Sequence, residues 1–86
     1  MCTYTTEHAR ISGSGKGRNG WFSLTDATVY YDHPVHAPAE HTLNIDFASS
    51  DGGPAARVAV ELTADSAREL VAAIERALAA VPAGML

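Results

Sequence analysis

Apolar and polar residues alternate along two short segments in the middle of the chain. Within residues 41–48, Leu43, Ile45 and Phe47 occupy alternate positions, and in residues 57–62 every second position is Val or Leu. Successive side chains of a strand point to opposite faces of a sheet, so each segment would have one apolar face. Residues 49–54, Ser-Ser-Asp-Gly-Gly-Pro, are typical of a turn. The two segments are therefore predicted to form a hairpin with one shared apolar face.

The C-terminal part of the chain has helical rather than strand periodicity. An apolar stripe with three- and four-residue spacing runs through residues 63–81. Its members are Ala67, Leu70, Val71, Ile74, Leu78 and Val81. Thr63 or Asp65 is predicted to cap the start of this helix, and Pro82 and Gly84 to end it.

The N-terminal half is predicted to contain more strands. Residues 3–11 are rich in Thr and favour a strand, and residues 21–31 favour one bulged strand or two short ones. The Gly-rich residues 12–20 are predicted to be the loop between them, and residues 32–40, with two prolines, to be irregular. The predicted fold is α+β: a single domain over residues 1–86, with an antiparallel sheet of about four strands and one C-terminal helix packed on one face.

Composition and charge exclude some classes of function. The formal net charge of −4 argues against a nucleic-acid partner bound through a strongly basic face. No apolar run approaches the roughly 20 residues of a membrane span. The first residues lack a basic stretch followed by an apolar segment, as a signal peptide would have. A cytoplasmic protein without a membrane or nucleic-acid partner is therefore expected.

The chain is short, so its stability is expected to need support. Its single Cys excludes an intrachain disulfide, which leaves a bound metal or oligomerisation. One helix covers only one face of the predicted sheet. A homo-oligomer, a dimer or larger, joined through the open sheet face is therefore expected. The alternative is that residues 12–20 and 32–40 fold over that face.

Three of the four histidines fall within residues 32–41. The spacing of His33 and His36 lets a tight turn aim two imidazoles at one ion, and His41 opens the next strand. Imidazole is a common Zn²⁺ ligand, and three His ligands, or two His and a carboxylate, would leave a coordination position open for water or substrate. The predicted metal ligands are therefore His33, His36 and His41, and the expected ion is divalent, zinc first. His8 is a reserve ligand if the first strand lies beside residues 41–48.

Carboxylates flank this segment, and no established zinc motif matches it. Asp32 and Glu40 are candidates for a catalytic base or for partners behind the ligands. The alternative is that the histidines bond backbone carbonyls in a turn or mark a subunit contact.

Two further features could contribute to a site. Cys2 is a candidate nucleophile, because a neighbouring His8 imidazolium would favour its thiolate. The alternative is that Cys2 is only a small buried residue. Lys16 and Arg18 would attract a small anionic ligand to the Gly-rich segment. This segment matches GxGxxG literally, but a dinucleotide site needs a helix next and the sequence continues as a strand.

Several short stretches carry a resemblance to a family. They are Met1-Cys2-Thr3-Tyr4, residues 12–17 with Gly20-Trp21-Phe22, and residues 32–47 from Asp32-His33-Pro34 to Phe47. On these residues the whole chain resembles a small bacterial family of uncharacterised single-domain proteins. The resemblance implies that the Gly-rich and His-rich segments form one signature, and it implies no activity.

Three functions remain open at this point. The first is a metal-binding protein, or a metal-dependent enzyme acting on a small anionic substrate. The second is a non-enzymatic module that binds a ligand or protein and oligomerises through its open sheet face. The third is a metal-free isomerase or cyclase that uses His as acid or base.

Overall fold

A computed structural model describes residues 5–35, 38–51, 53 and 55–86 of the chain. Its strands are β1 (Thr6–Gly17), β2 (Gly20–Asp32), β3 (Thr42–Ala48) and β4 (Arg57–Leu62), followed by helix α1 (Ala64–Ala79) and a 3₁₀ turn, Ala83–Met85. The strands form one antiparallel sheet in the order β1-β2-β3-β4. The predicted α+β fold is confirmed. None of the helices in the described part of the chain is long and apolar enough to span a membrane.

The alternating segments form the hairpin of β3 and β4 with one shared apolar face, as predicted. Val29 on β2 lies opposite Ile45 on β3, which in turn lies opposite Val60 on β4. Phe47 lies in the next apolar row, between Ala27 and the start of β4. One face of the sheet is therefore apolar across three strands, because the register aligns the apolar set of each strand with that of its neighbour.

The Gly-rich segment is a strand and not a loop, so this part of the sequence interpretation was wrong. β1 continues to Gly17, and only residues 18 and 19 form the turn to β2. A Cβ atom on Gly15 would lie 3.1 Å from Leu24 Cδ1, and one on Gly17 would lie 3.0 Å from Phe22 Cε1. The glycines thus leave room for the large side chains of β2 that lie against β1.

A bulge separates the two halves of the first hairpin. Arg10 lies opposite Asp26, whereas Gly13 lies opposite Leu24, so β1 contains one more residue than β2 across this step. Residues 20–32 therefore form one continuous strand, and the irregularity predicted for it occurs on its neighbour. An extra residue of this kind bends a hairpin and increases its twist.

Helix α1 contacts the sheet near its N-terminal end. Thr63 caps the helix, and its Oγ1 accepts a hydrogen bond from the Ser66 backbone N–H at 3.2 Å. Ala64 and Ala67 share a cleft with Tyr31 and Leu43 of the sheet. Beyond this contact the apolar stripe is uncovered, and no residue of α1 is buried.

The buried set of the described residues is small. Ala27 and Ala56 are its only hydrophobic members, and the polar residues Thr42 and Asn44 are buried with them. Thr42 has no exposed surface, and its hydroxyl donates a hydrogen bond of 2.6 Å to Asn44 Oδ1. Apart from the exposed Trp21, the large apolar side chains of the sheet are therefore only partly buried, and those of α1 are exposed.

Candidate functional site

The ends of β2 and β3 bring two of the predicted metal ligands together. Asp32, the last residue of β2, lies opposite Thr42, the first residue of β3. His33 and His41 are the next residues outward from this pair, and their imidazole rings stack with centroids 4.6 Å apart and planes inclined by 27°. The strand register thus explains why residues eight positions apart in sequence meet.

A backbone contact selects the tautomer of the neutral His33 ring. Its Nδ1 lies 3.0 Å from the carbonyl oxygen of Glu40. A carbonyl oxygen only accepts, so Nδ1 must carry the proton and donate it. The neutral ring then has its free lone pair on Nε2, which is the arrangement by which proteins orient His ligands. This contact uses the Glu40 backbone, and it leaves the Glu40 carboxylate unassigned.

His41 lies between two other rings. Its imidazole stacks on Tyr31 with centroids 6.0 Å apart and planes inclined by 16°, and on His33 at the distance given above. His41 is half-buried and His33 is exposed. The outer face of the cluster, at His33, is therefore the face that an ion or ligand would meet first.

Glu61 holds the segment after His33, a role that the sequence interpretation did not identify. Its Oε2 accepts a hydrogen bond of 2.6 Å from the Val35 backbone N–H. Asp32 Oδ1 accepts a second one, 2.7 Å long, from the His33 backbone N–H. The alternation in β4 indicated that Glu61 is on the polar face, but its partner belongs to an irregular segment whose path no periodicity predicts.

His8 does not join this cluster. Its Nδ1 lies 3.3 Å from Thr28 Oγ1, on the neighbouring strand. The condition for its use as a reserve ligand was that the first strand lies beside residues 41–48, whereas β1 pairs with β2. Thr28 precedes His33 by five residues, which is about 16 Å along an extended strand.

Lys16 and Arg18 lie at the other end of β2. Lys16 is opposite Trp21, and Arg18 is in the turn that follows β1. The 13 residues of β2 separate this turn from Asp32. An extended strand of that length spans about 40 Å. Within one chain these two cations and the His pair therefore form no common site.

Two predicted site residues, Cys2 and His36, lie outside the described residues. Within residues 5–35, 38–51, 53 and 55–86, no group of three or more His, Cys, Asp or Glu side chains is arranged to hold a metal ion. The described part of the candidate site is therefore the pair of His33 and His41, with Asp32 and Glu40 beside it.

Elsewhere on the polar face, carboxylates are paired with arginines. Asp46 Oδ1 accepts hydrogen bonds from Arg57 Nη2 at 2.7 Å and from Arg57 Nε at 3.2 Å. These bonds and the charge of Asp46 raise the pKa of Arg57 above its ordinary value. Arg10 and Asp26 approach to 3.6 Å across β1 and β2. Each of these pairs links two adjacent strands and so contributes to the stability of the sheet.

Comparison with known proteins supports the resemblance noted from the sequence and adds no activity. No curated protein matches the chain significantly. No solved structure does so either. A family model does match, from the first residue to the last, and it describes a family of unknown function. Since the match extends over residues 1–86, the chain belongs to this family, DUF6295.

Proposed function

We propose that this protein binds a divalent metal ion, zinc first, at the His33–His41 pair. The observation that carries the proposal is the contact between His33 Nδ1 and the Glu40 carbonyl oxygen. It leaves Nε2 of His33 as the lone-pair donor, beside a second imidazole. Metal-binding histidines are commonly held by such a bond through the other ring nitrogen.

Two His ligands leave coordination positions for other donors. Zn²⁺ is usually four-coordinate, and His36, in the segment between the two histidines, is the first candidate for a third ligand. A remaining position would hold water or a ligand, which the ion would polarise. Asp32 and Glu40 stay the candidates for accepting a proton from that water, and Cys2 stays a candidate nucleophile. We propose that the protein binds this ion in the cytoplasm.

The proposal does not include the anionic substrate expected from Lys16 and Arg18. Those side chains lie at the far end of β2 from the His pair. An anion attracted to them would not reach an ion at His33 in the same chain.

The test is metal content per chain, measured by plasma mass spectrometry on untagged protein purified without added metal or chelator. Metal-stripped protein is then titrated with Zn²⁺ by calorimetry. We expect about one ion per chain or per dimer. The His33→Ala/His41→Ala variant should bind Zn²⁺ at least tenfold more weakly. His8→Ala is the matched control, since His8 lies on another strand. If circular dichroism shows that the double variant is folded and its metal uptake is unchanged, the proposal is refuted.

A second function, a non-enzymatic binding module, is favoured by the exposed apolar side chains. Trp21 is 72% exposed, and Leu70, Val71, Ile74 and Leu78 on α1 are 43–56% exposed. The four α1 residues follow one another at helical spacing, and an exposed apolar patch of this kind marks association sites in soluble proteins. This function predicts association that persists in metal-stripped protein, and a protein that is monomeric at all concentrations with no bound ligand would contradict it.

A further inference from the structure

The protein exposes more surface than a folded chain of its mass needs to. Its accessible area is 6452 Å² for 9.0 kDa. A monomer of this mass normally exposes about 4,900 Å². Its radius of gyration is 14.5 Å, against about 12 Å for a compact chain of this length. The excess area, about 1,600 Å² per chain, is what each subunit of a stable oligomer typically buries in a large interface.

The uncovered apolar surface includes one face of α1. With successive residues 100° apart, Ile74 and Leu78 lie near its centre and Leu70 and Val71 at its two edges, and each of the four is between 43% and 56% exposed. They repeat at intervals of three and four residues, so they form a continuous stripe along the helix. A single stripe of this width fits a second helix, which would meet it with an apolar stripe of its own.

The charges beside the stripe favour a second copy of α1 running in the opposite direction. With successive residues 100° apart, Arg68 and Glu75 lie on one side of the stripe, about 90–110° from its centre. Small residues lie on the other side: Ser66, Ala73, Ala77 and Ala80. In an antiparallel pair, the same side of each helix meets the same side of its partner.

If the two antiparallel helices cross near Ala72, oppositely charged residues of the two copies lie at the same height along the helix axis. At 1.5 Å rise per residue, Arg68 of one copy and Glu75 of the other lie within about 2 Å of the same height, and this pair occurs twice by symmetry. Leu70 then lies level with Ile74 of the other copy. A parallel pair would separate Arg68 and Glu75 by about 10 Å and place them on opposite sides of the interface.

We infer that α1 is a homodimerisation surface, on which a second copy of this chain packs its α1 in antiparallel orientation. The apolar stripes form the centre of the interface, and two Arg68–Glu75 pairs at its edge select the antiparallel direction. This surface differs from the open sheet face expected from the sequence. It also depends on no metal, so its test is separate from that of the His pair.

The experiment is sedimentation equilibrium on the full-length, metal-stripped chain over a range of concentrations. We expect a monomer–dimer equilibrium that Leu70→Ala/Ile74→Ala shifts to monomer. Both side chains are about half exposed in one chain, so their truncation leaves the protomer folded, and circular dichroism checks this. A monomeric wild-type protein would overturn the proposal, as would a dimer that this variant leaves unchanged.

Charge reversal tests the orientation. Glu75→Arg alone and Arg68→Glu alone each convert two attractive pairs into two repulsive ones, and each is expected to weaken the dimer about tenfold. The double variant restores opposite charges and is expected to recover affinity to within about threefold of wild type. Arg76→Glu, on the opposite side of the helix, is the matched control with little expected effect. Failure of the double variant to recover affinity would overturn the antiparallel arrangement.

Discussion

The buried hydrogen bond between Thr42 and Asn44 should make a large contribution to stability. Thr42 has no exposed surface, Asn44 is 6% exposed, and the Thr42 hydroxyl donates to Asn44 Oδ1 at 2.6 Å. Thr42→Val keeps the shape and removes the donor. It therefore loses one hydrogen bond and leaves a buried amide oxygen without this partner, at a cost of about 2 kcal/mol. For a domain of this size, the melting temperature should fall by roughly 8–16 °C.

A double-mutant cycle separates the hydrogen bond from other effects of the substitution. Thr42→Val, Asn44→Leu and the combined variant are unfolded in urea at one fixed protein concentration, because association would otherwise change the apparent stability. The coupling free energy is expected to be about 1–2 kcal/mol. Thr28→Val, on the same sheet face, is the control: it removes only the exposed 3.3 Å contact with His8 Nδ1, so the expected change is less than about 0.5 kcal/mol. A coupling below about 0.5 kcal/mol would refute the argument that burial strengthens this bond.

Three smaller predictions concern a helix cap, a turn and an anchor. Thr63→Ala should lower the free energy of unfolding by about 1 kcal/mol because it removes the helix cap, whereas Thr63→Ser should retain most of it; equal losses in urea unfolding would contradict this. Gly20 has φ of +108°, so Gly20→Ala should lower the free energy of unfolding by about 1–2 kcal/mol in the same assay. Gly13→Ala should be nearly neutral, because a Cβ atom added there would have no neighbouring atom within 4 Å. Glu61→Ala should make the Val35 amide exchange its hydrogen about tenfold faster by NMR, since it removes the acceptor of that N–H; an unchanged rate would show that Glu61 does not anchor this segment.

Local pattern predicted the second half of the fold well. The alternating segments 41–48 and 57–62 correspond to β3 and β4, and the stripe in residues 63–81 corresponds to α1 over residues 64–79. In each case the spacing of apolar residues is itself the property that folding uses, because it decides which face can be covered. The pattern does not say how far a face is covered, and in α1 most of the stripe remains exposed.

In the Gly-rich segment, composition indicates a loop and spacing indicates a strand, and the structure follows the spacing. Glycine favours turns, and four glycines in residues 12–20 suggested a loop. Three of them, at positions 13, 15 and 17, alternate with longer residues, which is the periodicity of a strand. The reason for glycine lies on the next strand, where Phe22 and Leu24 occupy the space that side chains on β1 would fill.

The candidate site was predictable only where its residues are close in the sequence. His33 and His41 flank the paired ends of consecutive strands, so a hairpin of any register near the observed one brings them together. His8 and Lys16 depend instead on strand order and on how far β1 extends. Neither follows from periodicity, since a strand's apolar pattern specifies its faces and not its neighbour.

The two proposed sites meet at one residue of the sheet. Tyr31 stacks on His41 on one side, and on the other it lines the cleft that Ala64, Ala67 and Arg68 of α1 also line. Arg68 is the residue that we pair with Glu75 of a second copy. An ion that fixed the His41 ring would therefore act two contacts away from the dimer interface. Because energetic coupling between binding events is reciprocal, any change in the free energy of dimerisation on adding Zn²⁺ must equal the change in the free energy of Zn²⁺ binding on dimerisation, summed over the two chains. Measuring both quantities in one titration series would thus show whether the His pair and α1 act together or independently.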